Sequence, residues 1–223
     1  GIYCALNPRT SREAELDVPA PEHENMRVAV IGGGPAGMQA ALTAAECGHT
    51  VTLYEKSGEL GGALACEKNV PFKSHLEKYI AFMAKNLEKA GADVRLMTEA
   101  IPERLEAEGY DYISAAVGAH SAVPNIEGVE NDNVFDARTA FASPEKLGKR
   151  VAVIGAGLVG CELAIYLKGL GHEVGIIELG DAVSSGGLTT QATIVKREMR
   201  RLGLGVSFNS AVTRFTDRGA EYI

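Results

Sequence analysis

The chain has 223 residues, 46% of them hydrophobic and 23% charged, an ordinary globular composition with room for one large domain or two small ones. Its net charge of −7 argues against nucleic acid and anionic membrane as main partners, because both want a basic surface. No apolar run approaches the ~18 residues of a membrane span, so the cytoplasm is the expected compartment.

Residues 1–25 carry three prolines and scattered charge with no sustained period, and read as an extended lead-in. The pattern then sharpens. Arg27 to Ile31 is a strand rich in β-branched residues, followed by the turn Gly32-Gly33-Gly34-Pro35-Ala36-Gly37 and an alanine-rich helical run to Gly48. A second apolar strand, Val51 to Tyr54, ends on Glu55. Strand, G-x-G-x-x-G, helix, strand and acid within about 30 residues make the dinucleotide-binding fingerprint.

Residues 57–73 read as a glycine-bearing loop. Leu76, Ile80, Met83 and Leu87 are spaced by three and four, which predicts one apolar helix face over Ser74 to Ala90. Asp93 to Met97 reads as a strand, Pro102 to Glu108 as a short helix, and Tyr110 to Val117 as a strand ending at Gly118. Ala119 to Gly148 has prolines, asparagines and acids without a strong period, and the inter-domain connection is expected there.

At Arg150 the fingerprint restarts. Arg150 to Glu178 overlays Arg27 to Glu55 at a constant offset of 123 residues without a gap, with 13 of 29 positions identical. This is one functional unit duplicated; the period is far too long for a solenoid. A helix from about Gln191 to Leu202, a strand from Leu204 to Phe208 and a strand from Val212 to Thr216 follow. The turn Asp217-Arg218-Gly219 would open a hairpin barely begun at Ile223. The expected fold is α/β, with two Rossmann-like domains both incomplete at the C-terminus. The lead-in takes residues 1–25, the first domain 26–122, the connection 123–148 and the second domain 149–223.

The chemistry expected of both turns is electrostatic and steric. A pyrophosphate needs close donors with no side chains in the way, and a helix N-terminus offers unpaired N–H groups and partial positive charge. Gly32 and Gly155 would make the tight turns, Gly34 and Gly157 admit the phosphates, and Gly37 and Gly160 let helix pack on strand. Pro35 and Ala36, and Leu158 and Val159, open the two helices beside the ligand. Glu55, followed by Lys56, and Glu178 are placed to accept from ribose hydroxyls. A carboxylate at Glu178 opposes a 2′-phosphate, and the next basic residue is Lys196, so NADH is expected over NADPH at the second site. His49 and His172 sit in equivalent Gly-His turns and read as structural. No side chain presents itself as a general acid or base.

The four cysteines, Cys4, Cys47, Cys66 and Cys161, form no C-x-x-C pair, neither a disulfide framework nor a self-contained metal site. Cys47 and Cys161 fall in predicted helices and read as small buried thiols.

The first half, with VIGGGPAG, the Gly61-Gly62 pair in YEKSGELGG and the strand end AAVGAH around Ala116 and Gly118, resembles the FAD domain of the two-dinucleotide-binding flavoprotein reductases. VIGAGLVGCELA resembles the NAD(P)H domain of the same, glutathione-reductase-like, fold. The resemblance implies that Gly61 and Gly62 lie near the FAD pyrophosphate and that Ala116 and Gly118 pass close to the flavin, although Val117 stands where that family usually has Thr or Ser. The family's disulfide branch carries a redox cysteine pair; Cys66 and Cys161 stand singly, which disfavours that chemistry.

Tyr3-Cys4-Ala5-Leu6-Asn7-Pro8 with Arg12-Glu13, together with Leu64 and Pro71-Phe72-Lys73, resembles the iron–sulfur flavoproteins of the old yellow enzyme group, such as 2,4-dienoyl-CoA reductase and trimethylamine dehydrogenase. This implies that Cys4 is the fourth ligand of a [4Fe–4S] cluster, and that an FMN-binding TIM barrel and the other three ligands precede it in an intact parent. The chain is then expected to be a fragment, an electron-input module passing a hydride from NADH to FAD. Two alternatives stay open: a non-catalytic domain holding ADP, as in trimethylamine dehydrogenase, and a stand-alone flavin or ferredoxin reductase.

Overall fold

The structure is a computed structural model that describes residues 4, 6–16, 24–183 and 189–223. The chain divides into two compact units, Gly1–Lys68 with Lys73–Ala119, and Asn69–Phe72 with His120–Ile223.

In the first unit a short helix α1 (Glu13–Leu16) precedes the sheet, and Arg9 is tied to Glu46 by a 3.0 Å ion pair. Strands β1 (Arg27–Ile31), β2 (Thr50–Tyr54), β3 (Asp93–Arg95) and β4 (Tyr112–Ala115) form a parallel sheet in the order β3-β2-β1-β4. Arg27 faces Thr50 and Ile31 faces Tyr54 across β1 and β2, while Ile31 faces Ala115 on the other side. Alternate side chains go to opposite faces of a strand. Val28, Val30, Val51 and Leu53 therefore pack with Met38, Ala41 and Leu42 of α2 (Pro35–Glu46) and Met83 and Leu87 of α3 (His75–Lys89). Ala29 and Tyr54 pack with Leu105 of α4 (Pro102–Glu108). Covering both faces is what a parallel sheet requires.

The second unit repeats the motif. β5 (Arg150–Ile154), β6 (Glu173–Ile177) and β7 (Val206–Ser207) are parallel in that order. Val153 and Ile176 pack with Cys161, Ala164 and Ile165 of α6 (Leu158–Gly169) and with Val195 and Met199 of α7 (Thr189–Arg201). Residues Cys161 to Leu167 of α6 are all buried, because α5 (Ala137–Ala142) and Val70 cover the side that α7 leaves open. The Phe141 and Tyr166 rings stack there at 5.9 Å.

Several elements differ from the sequence reading. β3 ends at Arg95 because Met97 turns left-handed (φ 50°) and donates its N–H to Ser57. β4 is confined to 112–115 and β7 to 206–207, while α7 starts at Thr189. The loop 57–73 contains 3₁₀ turns at Gly62–Glu67 and Pro71–Lys73. The stretch 119–148 holds α5, capped by the Asp136 carboxylate on the Thr139 N–H at 2.8 Å. The terminal hairpin is fully formed, with β8 (Val212–Thr216) paired to β9 (Gly219–Tyr222), Thr216 facing Gly219 and Val212 facing Tyr222. No helix among the described residues is long and apolar enough to cross a membrane.

Candidate dinucleotide sites

In the first unit the chain leaves β1 at Gly32, whose φ of 104° suits only glycine, and a Cβ there would lie 2.4 Å from the Ala116 carbonyl oxygen. Ala116 is held in place by its N–H on Ile31 O at 2.8 Å. Gly37 in the first turn of α2 runs so close that its Cβ would lie 1.8 Å from Gly32 O. The sequence reading expects this third glycine to let helix pack on strand; the tight contact here is with the turn residue Gly32. Gly34 is the N-cap of α2 in extended backbone, with no side chain capping the first turn, and Pro35 has no N–H to leave unpaired. Ala36 is exposed beside it. The helix N-terminus thus presents backbone donors that no side chain caps.

Glu55 is 9% exposed and bridges two backbone donors, Gly33 N–H at 2.7 Å and Ser57 N–H at 2.8 Å. Burial pushes its pKa up, but the Ser57 and Gly33 donors, the Ser57 hydroxyl and the charge of exposed Lys56 together hold it below the usual carboxylate value. Gly61 and Gly62 fold back onto this loop. Gly61 donates its N–H to Gly33 O at 2.8 Å. Gly62, at φ 51°, lies so close that its Cβ would be 2.9 Å from the Gly34 Cα. Gly118 is exposed just past β4, next to Val117, which is 74% exposed.

The second unit repeats the arrangement. Gly155 has φ 99°, and a Cβ on Gly160 would lie 2.1 Å from Gly155 O. Gly157 is an extended N-cap without a side-chain partner, Leu158 and Val159 open α6, and Val159 is exposed. Glu178 accepts from Ala156 N–H at 2.5 Å and from Gly180 N–H at 2.7 Å, and these two bonds, Gly180 first, hold its pKa below the usual value. One difference is informative. A Cβ on Gly155 would meet nothing within 4 Å, because among the described residues β5 pairs with β6 alone and nothing takes the place that β4 and Ala116 take beside β1.

The structure therefore brings Gly32, Gly34, Pro35, Ala36, Gly37, Glu55, Gly61 and Gly62 together at one end of the first sheet, with Ala116 behind Gly32. It groups Gly155, Gly157, Leu158, Val159, Gly160 and Glu178 likewise in the second. Open backbone donors and glycine positions without side chains fit a pyrophosphate. Sequence reasoning missed Gly33 and Ala156, the middle residues of the two turns, which the glutamates hold. The visible signal was a small residue at the same place in both copies.

The Gly-His turns are structural. Met26 N–H donates to His49 Nδ1 at 3.3 Å, and His172 Nδ1 lies 2.9 Å from Gly148 O. Cys161 is buried, and desolvation, with Glu178 and Glu162 nearby, pushes its thiol up to about 11, which keeps it in the thiol form at neutral pH. The Cys66 thiol donates to Ala63 O. Cys4 is exposed, and no group of three or more His, Cys, Asp or Glu among the described residues could hold a metal ion.

Comparison with known proteins agrees with this geometry. Residues 26–223 match the family model described as pyridine nucleotide-disulphide oxidoreductase. An NADH oxidase from Thermoanaerobacter brockii is 36% identical over 98% of the chain, and a bilirubin reductase from Mediterraneibacter gnavus is 34% identical over 99%. In both cases the chain spans 34% of the relative's length. The structure of a 2-naphthoyl-CoA reductase superimposes with a TM-score of 0.91 at 29% identity, over 98% of this chain and 33% of that one. These matches bear out the resemblance read from the sequence. With its duplicated fingerprint and two glycine-turn sites, the chain belongs to the pyridine nucleotide-disulphide oxidoreductase family.

Proposed function

We propose that this chain is the electron-input module of a larger NADH-dependent flavin oxidoreductase, with FAD on the first site and NADH on the second. When bound, these cofactors supply the redox chemistry, a hydride leaving NADH for FAD. The chain's own residues bind and orient. The N-terminal amides of α2 and α6 take the pyrophosphates, and Glu55 and Glu178 take the adenosine riboses. Gly61 and Gly62 close over the first loop. The observation that carries this reading is the two-fold occurrence of one loop geometry, with the glycine pair folded onto the first copy. Glu178, with Leu179, Gly180 and Asp181 after it, supports NADH as the donor.

The curated relatives are about three times as long as this chain, which supports a parent carrying further domains. In that parent Cys4 would give one thiolate to a [4Fe–4S] cluster; alone it cannot hold one, since four ligands are required. The electrons would then serve an FMN barrel. Bilirubin and 2-naphthoyl-CoA, the molecules in two of the relatives' names, are conjugated and unsaturated, in keeping with an enoyl or enone-type substrate.

The test is the cofactor content of the full-length parent. Denaturation should release FAD, and anaerobic NADH should bleach the flavin absorbance of the native protein. A parent holding ADP and no FAD would overturn the catalytic reading and leave a structural nucleotide domain.

A further inference from the structure

We propose that Glu55 and Glu178 are positioning residues that hold the phosphate loops in their ligand-accepting shape before any nucleotide arrives, independently of any bond to ribose. This rests on the dinucleotide reading above. Each carboxylate bridges one amide 22 residues upstream, Gly33 or Ala156, and one amide two residues downstream, Ser57 or Gly180. The bonded residues differ between the copies, Gly against Ala and Ser against Gly, while the pattern is the same. The bridge is therefore a property of the unit and not of one local sequence.

The physical need is specific. A glycine-rich turn has wide φ/ψ freedom, so the donors that follow it point correctly only if the turn is fixed. A charge-assisted bond to the middle amide fixes it. In the first unit the other end of the same residue is held too, by Gly61 N–H on Gly33 O, and Glu55 and Gly33 are both buried. Ordering the loop in advance removes that cost from binding. The bridge also answers an electrostatic objection. A carboxylate near the pyrophosphate site repels the ligand; the backbone N–H on each carboxylate oxygen lessens that repulsion without removing the charge, which still opposes a phosphate placed on the ribose itself.

The role separates experimentally from ribose recognition. ADP and 2′,3′-dideoxy-ADP, which lacks the ribose diol, are titrated calorimetrically into the chain and into Glu178→Gln and Glu55→Gln. Hydrogen exchange of the Ala156 and Gly33 amides is followed without ligand. Loss of one charge-assisted bond should weaken both nucleotides about tenfold or more at the substituted site. In Glu178→Gln, exchange should accelerate at Ala156 and not at Gly33. Glu178→Asp keeps the charge but shortens the reach, and should show the same parallel loss should the Gln variant fail to fold. If the variants lose affinity for ADP only and bind dideoxy-ADP like the unsubstituted chain, the glutamates serve the ribose alone and the proposal is overturned. An unsubstituted chain with no affinity for ADP overturns the dinucleotide reading itself, and the positioning role with it.

Discussion

Gly62 packs backbone against backbone on Gly34: a Cβ on Gly62 would lie 2.9 Å from the Gly34 Cα, at a φ of 51°. Gly62→Ala must push the two loops apart at the point where α2 offers its donors. The expected result is a full-length protein that folds but retains less than about a tenth of its flavin, since a shift of about 1 Å in a binding loop can cost 10²-fold. Gly48→Ala is the control, because its φ of 88° is further into the positive region than that of Gly62 but a Cβ there meets nothing within 4 Å. It should cost about 1 kcal/mol of stability and leave flavin content unchanged. Equal flavin loss in both variants would trace the effect to backbone strain and remove the close approach as its cause.

Gly37→Ala and Gly160→Ala invert a general rule. In an open helix, replacing Gly by Ala gains about 1 kcal/mol. Here the added Cβ would stand 1.8 Å from Gly32 O and 2.1 Å from Gly155 O, both backbone atoms that cannot swing aside. Each substitution should therefore destabilise its unit by about 3 kcal/mol or more, read from urea midpoints. A gain in either would mean that helix and turn are less closely packed than this.

The fold was legible where a pattern repeats and illegible where a single contact decides. Thirteen shared positions between the two fingerprints announced both β-α-β units, and the spacing of Leu76, Ile80, Met83 and Leu87 announced α3. The six residues of α5 cover less than two turns, too few for a period. Met97 looked like strand because its side chain is apolar, yet its left-handed backbone ends β3. The grip of Glu55 on Gly33 was hidden because it joins a side chain to a main-chain amide, and a residue pattern records side chains only. That β5, among the described residues, has one strand neighbour where β1 has two was hidden because β1 and β5 have the same sequence, Arg-Val-Ala-Val-Ile.

NADH should bind the second site at least about tenfold more tightly than NADPH. The 2′-phosphate of NADPH brings about two negative charges toward Glu178, and a like-charge encounter in a site partly shielded from water costs more than 1.4 kcal/mol. Titration of the full-length protein with both nucleotides measures the ratio. Glu178→Ala should shrink the ratio, by weakening NADH more than NADPH. Tighter NADPH binding to the unsubstituted protein would refute this account of the second site.

Acid should loosen both loops before it unfolds other parts of the protein. Glu55 and Glu178 have pKa values below the usual 4.5, so the folded chain binds fewer protons there than the unfolded chain. Stability from these groups is complete above about pH 4.5 and is lost as pH falls through their folded values. The unsubstituted chain should lose thermal stability steeply over that window, and the Glu55→Gln, Glu178→Gln double variant should lose less. Melting curves taken between neutral pH and pH 3 decide it. Identical slopes would mean that neither carboxylate changes its pKa on folding.

The cap on α5 offers the cleanest single-residue test of the second unit. Asp136 accepts from Thr139 N–H at 2.8 Å and from the Ser121 hydroxyl at 3.1 Å, and Thr139, more than any other group, holds its pKa below the usual value. The helix it starts buries Ala140 and Phe141 against α6, so losing the cap frays a wall of the core and not a surface ornament. Asp136→Ala should cost about 1 kcal/mol, and Asp136→Asn, which keeps an acceptor for Thr139, should recover most of it. The Asp136 contribution should also fade in acid, since a lowered pKa means protonation weakens the cap. Chemical denaturation of the three proteins at neutral pH and near pH 3 measures both effects. An Ala variant as stable as the unsubstituted chain would show that Phe141 holds α5 in place without its cap.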